Sequence, residues 1–134
     1  MPKSIVIFLF VIFFKYDIYI KYSIGRGRIM AIQISAELLE GVVLASLVDQ
    51  DLYGYALTQQ VQSHFEISES TIYPVLRRLK KSAELNTYDR PYQGRNRRYY
   101  QLTDTGRKHL NNIISDWHYF SAQVNSVLEE TKDA

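Results

Sequence analysis

Two clusters of basic side chains carry most of the chemistry that this sequence offers. Residues 77–108 contain ten Lys or Arg and three acidic residues, a net charge of +7, whereas the rest of residues 30–134 contains one base and ten acids. Such a division of charge is typical of a surface that faces a polyanion. The densest cations form two groups: Arg77, Arg78, Lys80 and Lys81 in the first, and Arg95, Arg97 and Arg98 in the second.

Few other residues suggest chemistry. Because the sequence has no cysteine, disulfides and thiolate metal sites are excluded, and a reducing cytoplasm is the expected location. His64, His109 and His118 lack metal-ligand spacing to acidic residues, and His109 is expected on an ordinary helix surface. The sequence contains no Gly-rich phosphate loop, G-x-S-x-G or H-E-x-x-H motif. We therefore predict that the protein is not an enzyme and needs no cofactor or metal.

The first basic cluster closes a predicted helix, STIYPVLRRLKK (70–81), for which Ser68 is the expected N-cap. The polar face of this helix includes Pro74. Because Pro74 lies early in the helix, only one intrahelical hydrogen bond is lost. Short hydroxyl residues at the start of such a face, with cations further along, suit the major groove of DNA. On its own, a charged face is also typical of a helix that only faces solvent. At about 100° per residue, the apolar residues form one stripe for burial: Ile72, Val75, Leu76 and Leu79.

The second basic cluster falls in the segment ELNTYDRPYQGRNRRYYQL (84–102). This segment is predicted to form two short strands around RPYQGR, with Pro91 and Gly94 as turn residues. The arginines of the second cluster would then lie at the tip and on the returning strand. A helix followed by such a hairpin is the layout of a winged helix, whose hairpin contacts the DNA backbone or the minor groove.

Helical patterns also precede the basic region. A first helix is predicted within residues 35–50, with Ser35 as its N-cap. A second helix runs from about Tyr55 to His64, with Leu57 and Val61 facing inward. These helices and the one at 70–81 would provide the helix-turn-helix.

A long helix closes the sequence, from its expected cap at Thr103 to about Glu129. Its apolar residues recur every three or four positions: Leu110, Ile113, Ile114, Trp117, Phe120, Val124, Val127 and Leu128. We predict a mainly α fold with a small β-hairpin (α+β), namely a winged helix-turn-helix followed by a long C-terminal helix. The expected domains are residues 30–107 for DNA binding and residues 108–134 for the long helix.

The first 29 residues differ in character from the rest. The apolar run at 4–14 is shorter than the roughly 20 residues that span a bilayer, and no signal-peptide cleavage site follows it. Within residues 1–24, sixteen are Ile, Phe, Lys or Tyr, and GRGR comes shortly before Met30. We interpret residues 1–29 as translated upstream DNA or a disordered apolar extension, without stable membrane association. A regulator tethered to the membrane through residues 1–24 is the alternative.

At this point the sequence resembles the PadR family of winged-helix transcriptional regulators, in its small form with one C-terminal dimerisation helix. The resemblance lies in LYGYAL (52–57), STIYPVLRRL (70–79) and GRNRRYYQLTDTGRKHL (94–110), and it covers about 34–128. It implies a homodimer that represses nearby genes and is released by a small ligand or another signal. The DNA-binding residues that it implies are Ser70, Thr71, Tyr73, Arg77, Arg78, Lys81, Arg95, Arg97 and Arg98.

The resemblance also assigns structural roles. Tyr53, Gly54 and Tyr55 are interpreted as a glycine turn with aromatic rings that brace the second helix. The strand from Tyr99 would lead into the last helix. One departure is Ala83, which stands where the family usually has glycine after the recognition helix. A left-handed cap there would cost roughly 1 kcal/mol relative to glycine.

Trp117 and Phe120 belong to the apolar stripe of the last helix. They are interpreted either as core residues of a dimer interface or as the lining of a site for a planar, hydrophobic effector. The predicted partners are thus double-stranded DNA with a near-palindromic operator, a second copy of the chain and a small aromatic molecule. The alternative is a winged helix whose basic surface meets an acidic protein partner.

Overall fold

The computed structural model describes residues 32–132, so the interpretation of residues 1–29 lies outside the described part. Four helices and three strands follow one another along this part of the chain. They are α1 (Ala36–Ala45), β1 (Leu52–Tyr53), α2 (Gly54–Gln62), α3 (Glu69–Lys81), β2 (Leu85–Tyr92), β3 (Arg95–Leu102) and α4 (Asp104–Lys132). This order confirms the predicted mainly α fold with a hairpin and a long last helix.

Two helix starts are capped as the sequence predicts. The hydroxyl of Ser35 accepts a hydrogen bond from the backbone N–H of Leu38 (3.2 Å), which satisfies a free donor of α1. Thr103 Oγ1 accepts from the N–H of Gly106 (3.0 Å) at the start of α4. A side chain at Gly106 would collide with the backbone carbonyl of Glu84, so glycine is needed for this close approach.

The predicted buried stripes form the centre of a single hydrophobic core. Leu57 and Val61 of α2 are completely buried, and α1 adds Val43 and Leu44. Burial of these side chains is the main stabilising contribution to the fold, at about 25 cal/mol per Å² of apolar surface. All four residues predicted for the inner face of α3 are buried: Ile72, Val75, Leu76 and Leu79.

The sheet is antiparallel, with β3 between β1 and β2. Its hairpin is longer than the sequence predicted. Pro91 was predicted to be a turn residue, and this prediction is wrong. Pro91 lies inside β2 opposite Asn96, which the edge position of β2 allows because the missing N–H breaks no inner ladder. The turn consists of Gln93 and Gly94 alone, with φ of 47° and 76°. Positive φ at both positions is typical of a two-residue hairpin turn.

Ala83 has the left-handed conformation that its position after α3 predicts, with φ of 58°. Its N–H donates to the carbonyl of Lys80 (3.1 Å), and the N–H of Glu84 donates to that of Leu79 (2.9 Å). These two bonds define a Schellman motif, which ends the helix and turns the chain into β2. Glycine would adopt this conformation without the penalty that the Cβ of alanine incurs.

The second half of α4 has no covering element in the described chain. Leu110 and Ile113 are buried against the core, and α1 crosses the helix there. From Ile114 to Thr131 every side chain except Ser121 is exposed. Within residues 32–132, no helix is both long and apolar enough to cross a membrane.

Candidate nucleic-acid interface

The start of α3 presents a cluster of hydroxyl groups. Ser68 is the N-cap residue by position, but its hydroxyl does not bond a backbone N–H. Instead, Ser68 Oγ shares hydrogen bonds with Ser70 Oγ (2.8 Å) and Thr71 Oγ1 (3.0 Å). All three residues are exposed. Ser70 and Thr71 therefore stand together at the accessible end of the helix, as the sequence predicts.

The cations of α3 divide into free and paired residues. Arg77, Lys80 and Lys81 are exposed, and none of them forms an ion pair within the described chain. Arg78 behaves differently, because its guanidinium pairs with the carboxylate of Glu40 on α1. The side chain of Arg78 is 50% exposed and that of Glu40 only 15%. Arg78 thus joins two helices as well as facing solvent.

Period-two alternation along β3 separates the hairpin arginines. Arg97 lies on the outer face of the sheet, where its guanidinium stands 3.4 Å from the ring centre of Tyr92 and 4.2 Å from that of Tyr53. Such cation–π contacts hold the side chain against the sheet. Arg98 lies on the face that continues the core side, where its Nε donates to Asp89 Oδ1 (3.1 Å). Arg95, beside the turn, is exposed.

The outer face carries further aromatic and basic side chains in alternation. Tyr88 and Tyr99 face each other across β2 and β3, with stacked rings 5.4 Å apart. Arg90 lies over both rings, at 5.2 and 5.7 Å from their centres. The Tyr88 hydroxyl donates to Asp51 (2.6 Å), and this bond raises the pKa of Tyr88 above its usual value. These contacts stiffen the base of the hairpin.

A cavity of about 470 Å³ opens between α3 and the inner face of the hairpin. The sequence indicated only structural roles for Tyr53, Gly54 and Tyr55, and it gave no signal that Asp89 or Asn96 belongs to a site. Tyr73, predicted on the DNA-binding side of α3, is half-buried and lines this cavity. Its lining residues come from five elements, β1, α2, α3, β2 and β3: Tyr53, Gly54, Tyr55, Tyr73, Asp89, Asn96, Arg98 and Tyr100.

The phenol of Tyr100 is in a less aqueous environment than a surface tyrosine. Burial is the main cause that raises its pKa, and the neighbouring Tyr73 adds to the effect. The positive charges of Arg98 and Arg77 act in the opposite direction. Tyr100 is consequently protonated at ordinary pH and can donate a hydrogen bond.

The sequence predicted that His109 lies on an ordinary helix surface, and this prediction is wrong. Its Nδ1 pairs with Glu84, and its Nε2 lies 3.8 Å from Oε2 of Glu40. The carboxylate of Glu40 also pairs with Arg78. The cluster of Glu40, Arg78 and His109 therefore connects α1, α3 and α4. Because these residues are far apart in the sequence, no local sequence pattern predicted the cluster.

Trp117 and Phe120 lie close together on the uncovered part of α4. Their ring centres are 6.3 Å apart, and the two residues are 45% and 59% exposed. Four more apolar residues continue the stripe along the helix: Ile114, Val124, Val127 and Leu128. A continuous apolar face of this kind is typical of an interaction site.

The helices, the three-stranded sheet and the hairpin together define a winged helix-turn-helix. The chain belongs to the transcriptional regulator PadR-like family, whose model matches residues 43–112. It is therefore a DNA-binding transcriptional regulator and not an enzyme.

Individual proteins support this assignment. A crystal structure from Streptococcus mutans is 39% identical, covers 75% of this chain and 94% of its own, and superposes with a TM-score of 0.69. A transcriptional regulator of Mycobacterium tuberculosis is 36% identical over 69 residues, which are 51% of this chain and 64% of that protein. Bacillus subtilis PadR, crystallised with operator DNA, shares the fold at 23% identity and a TM-score of 0.53, over 57% of this chain and 46% of its own.

Proposed function

We propose that the protein is a homodimeric, sequence-specific repressor that binds a near-palindromic operator and is released by a small hydrophobic or aromatic ligand. The observation that carries this proposal is the pair of exposed basic elements, α3 and the hairpin, which are neighbours in a fold that Bacillus subtilis PadR uses on operator DNA. As a regulator of DNA, it would act in the cytoplasm.

In this proposal α3 enters the major groove. Ser70 and Thr71 at its start reach base edges, because short hydroxyl side chains can donate to or accept from any base. Arg77 and Lys81 further along meet backbone phosphates, which fixes the position of the helix on the duplex. Arg78 contributes to DNA binding only to the extent that its guanidinium separates from the carboxylate of Glu40.

The hairpin supplies a second contact beside the first. Arg95 at the turn is the exposed cation best placed for the minor groove, where arginine senses groove width and negative potential. Arg98 lies nearer to α3, on the wall of the cavity. Arg97 is packed between tyrosines, so its main contribution is to hold the hairpin in one orientation.

Dimerisation would occur through α4. Its uncovered part runs from Ile114 to Thr131, which at 1.5 Å per residue is about 27 Å long. A second copy packed on this stripe by two-fold symmetry would bury Trp117 and Phe120 and would present two copies of α3 to one duplex. A two-fold symmetric protein selects a near-palindromic site.

The effector part of the proposal depends on Trp117. The chain has only one tryptophan, so its fluorescence reports on this position alone. A flat aromatic dye that stacks on Trp117 should quench the emission and should weaken DNA binding in parallel. A panel of such dyes without any quenching would contradict the proposed effector site.

Anisotropy of fluorescent DNA tests the central proposal. The full chain is titrated into a duplex from the region upstream of its own gene and into a scrambled duplex, each at two salt concentrations. Preference for the first duplex with a steep loss of affinity at higher salt supports a sequence-specific regulator. Equally weak binding to both duplexes would favour the second candidate, in which the basic surface binds an acidic protein.

A further inference from the structure

We propose that the cavity between α3 and the hairpin binds one backbone phosphate of the DNA, with the hydroxyls of Tyr73 and Tyr100 and the guanidinium of Arg98 as hydrogen-bond donors. This inference rests on the proposed function, because it assigns a contact within the same interface. It also gives a binding role to Tyr100, which the sequence indicated only as part of the junction between the last strand and the last helix, and it specifies the contact that Tyr73 and Arg98 make.

The position of the cavity follows the geometry of DNA. Neighbouring major and minor grooves are separated by one sugar–phosphate strand. If α3 occupies one groove and the hairpin the next, that strand must cross the surface between them. Tyr73 forms the α3 side of the cavity, and Asn96, Arg98 and Tyr100 form the hairpin side. A phosphate of the crossing strand would therefore meet these residues.

The two phenols are suited to bind an anion. Among the described residues, neither the Tyr73 nor the Tyr100 hydroxyl has a hydrogen-bond partner, whereas the Tyr88 hydroxyl is held by Asp51. Both residues are half-buried and line the cavity, so both hydroxyls are available to donate to a ligand that enters it. A phenol hydroxyl can donate a hydrogen bond to a phosphate oxygen, and burial raises the pKa of Tyr100, which keeps that phenol neutral beside an anion.

Arg98 supplies the positive charge. Its Nε donates to Asp89, which fixes the plane of the guanidinium while its side chain stays 58% exposed. The terminal nitrogens can then make charge-assisted bonds to phosphate oxygens. The adjacent carboxylate reduces the local positive charge, so the site depends on the placement of its donors more than on charge alone.

Gly54 keeps the floor of the cavity open. A Cβ at this position would lie 3.2 Å from the Tyr73 hydroxyl oxygen and 3.7 Å from the Tyr100 ring. A larger side chain would occupy the space between the two phenols. Glycine is thus explained here by the proximity of two tyrosine side chains, not by an unusual φ.

The test compares three substitutions that each remove one hydroxyl and keep the ring. Tyr73→Phe and Tyr100→Phe change the cavity, whereas Tyr99→Phe changes the opposite face of the same strand and is the matched control. The full-length variants are titrated into the upstream duplex and the scrambled duplex. We expect Tyr73→Phe and Tyr100→Phe each to weaken binding roughly tenfold, since a hydrogen bond to a charged group is lost. Tyr99→Phe should leave it unchanged.

The size of the loss must be the same on both duplexes, because a phosphate carries no sequence information. A change in the preference between duplexes would mean that a hydroxyl reads a base, and it would overturn the proposal. Arg98→Gln gives a second measure that does not depend on the phenols. This variant should reduce the slope of log K, the association constant for DNA, against log salt concentration by the amount that corresponds to about one phosphate contact.

Failure of this site can be told apart from failure of the proposed function. If Arg77→Ala weakens DNA binding but both cavity variants behave like Tyr99→Phe, the function stands and the phosphate site is wrong. If the unsubstituted protein binds neither duplex, the proposed function fails and the phosphate site fails with it.

Discussion

Arg78 of α3 and Glu40 of α1 form an ion pair between the predicted recognition helix and the first helix of the fold. The same carboxylate has His109 of α4 at 3.8 Å, and His109 in turn contacts Glu84. Glu40 therefore lies where three helices meet. Its position suggests that the orientation of α3 relative to α4 depends on polar contacts as well as on the apolar core.

This pair predicts different behaviour for two adjacent arginines. Arg78→Ala should lower the free energy of unfolding by about 1 kcal/mol, because it leaves the mostly buried Glu40 without its strongest partner. Arg77→Ala should change stability by less than about 0.5 kcal/mol, since Arg77 is exposed and unpaired within the described chain. Urea unfolding followed by circular dichroism measures both values.

DNA binding should rank the same two variants in the opposite order. Arg77→Ala should weaken binding more than Arg78→Ala, because only Arg77 is free to neutralise a phosphate without losing an internal pair. Anisotropy titrations at one salt concentration give the comparison. A larger effect on stability from Arg77→Ala than from Arg78→Ala would show that the outer face of α3 is wrongly assigned.

We expect the substitution of Asp89 by asparagine to increase the affinity for DNA. Asp89→Asn removes a negative charge from the cavity wall, while the amide oxygen of the asparagine can still accept from Arg98 Nε and keep the guanidinium in place. The affinity for both duplexes should therefore rise about threefold, and the salt dependence should become steeper. Glu129→Gln removes the same charge from the exposed end of α4 and is the control. Weaker binding of Asp89→Asn would mean that Asp89 acts mainly by orienting Arg98.

Ala83 predicts a gain in stability. Ala83→Gly should raise the free energy of unfolding by about 1 kcal/mol, because glycine adopts φ of 58° without strain. Ala45→Gly, at the exposed last position of α1, should instead lower it by about 0.5–1 kcal/mol. Thermal unfolding of the two variants under the same conditions distinguishes these effects, and equal destabilisation would exclude strain at Ala83.

These residues also show how far the sequence could predict the structure. Local signals sufficed for the caps at Ser35 and Thr103 and for the buried stripe of α3, because capping and a period of 3.6 depend on residues close in sequence. Pro91 was misplaced since turn propensity does not reveal that an edge strand tolerates proline. Strand alternation could have separated Arg97 from Arg98 if the length of β3 had been known.

Long-range contacts were beyond the sequence. Glu40 and Arg78 are 38 positions apart, and only the crossing of α1 over α3 and α4 brings them and His109 together. The cavity is a similar case, because Tyr73, Asp89 and Tyr100 become neighbours only when the hairpin folds beside α3.

The uncovered stripe of α4 predicts the effect of one charge placed on it. Phe120→Glu should weaken self-association roughly 30-fold or more, because a central aromatic anchor typically contributes ~2 kcal/mol or more and the new carboxylate would be buried without a partner. Tyr119→Glu is the matched control, since Tyr119 is the preceding residue, is 73% exposed and lies off the stripe. Sedimentation equilibrium of both variants gives their dimer dissociation constants. If Tyr119→Glu dissociates the dimer and Phe120→Glu does not, the interface lies on another face of α4, and the near-palindromic operator loses its structural basis.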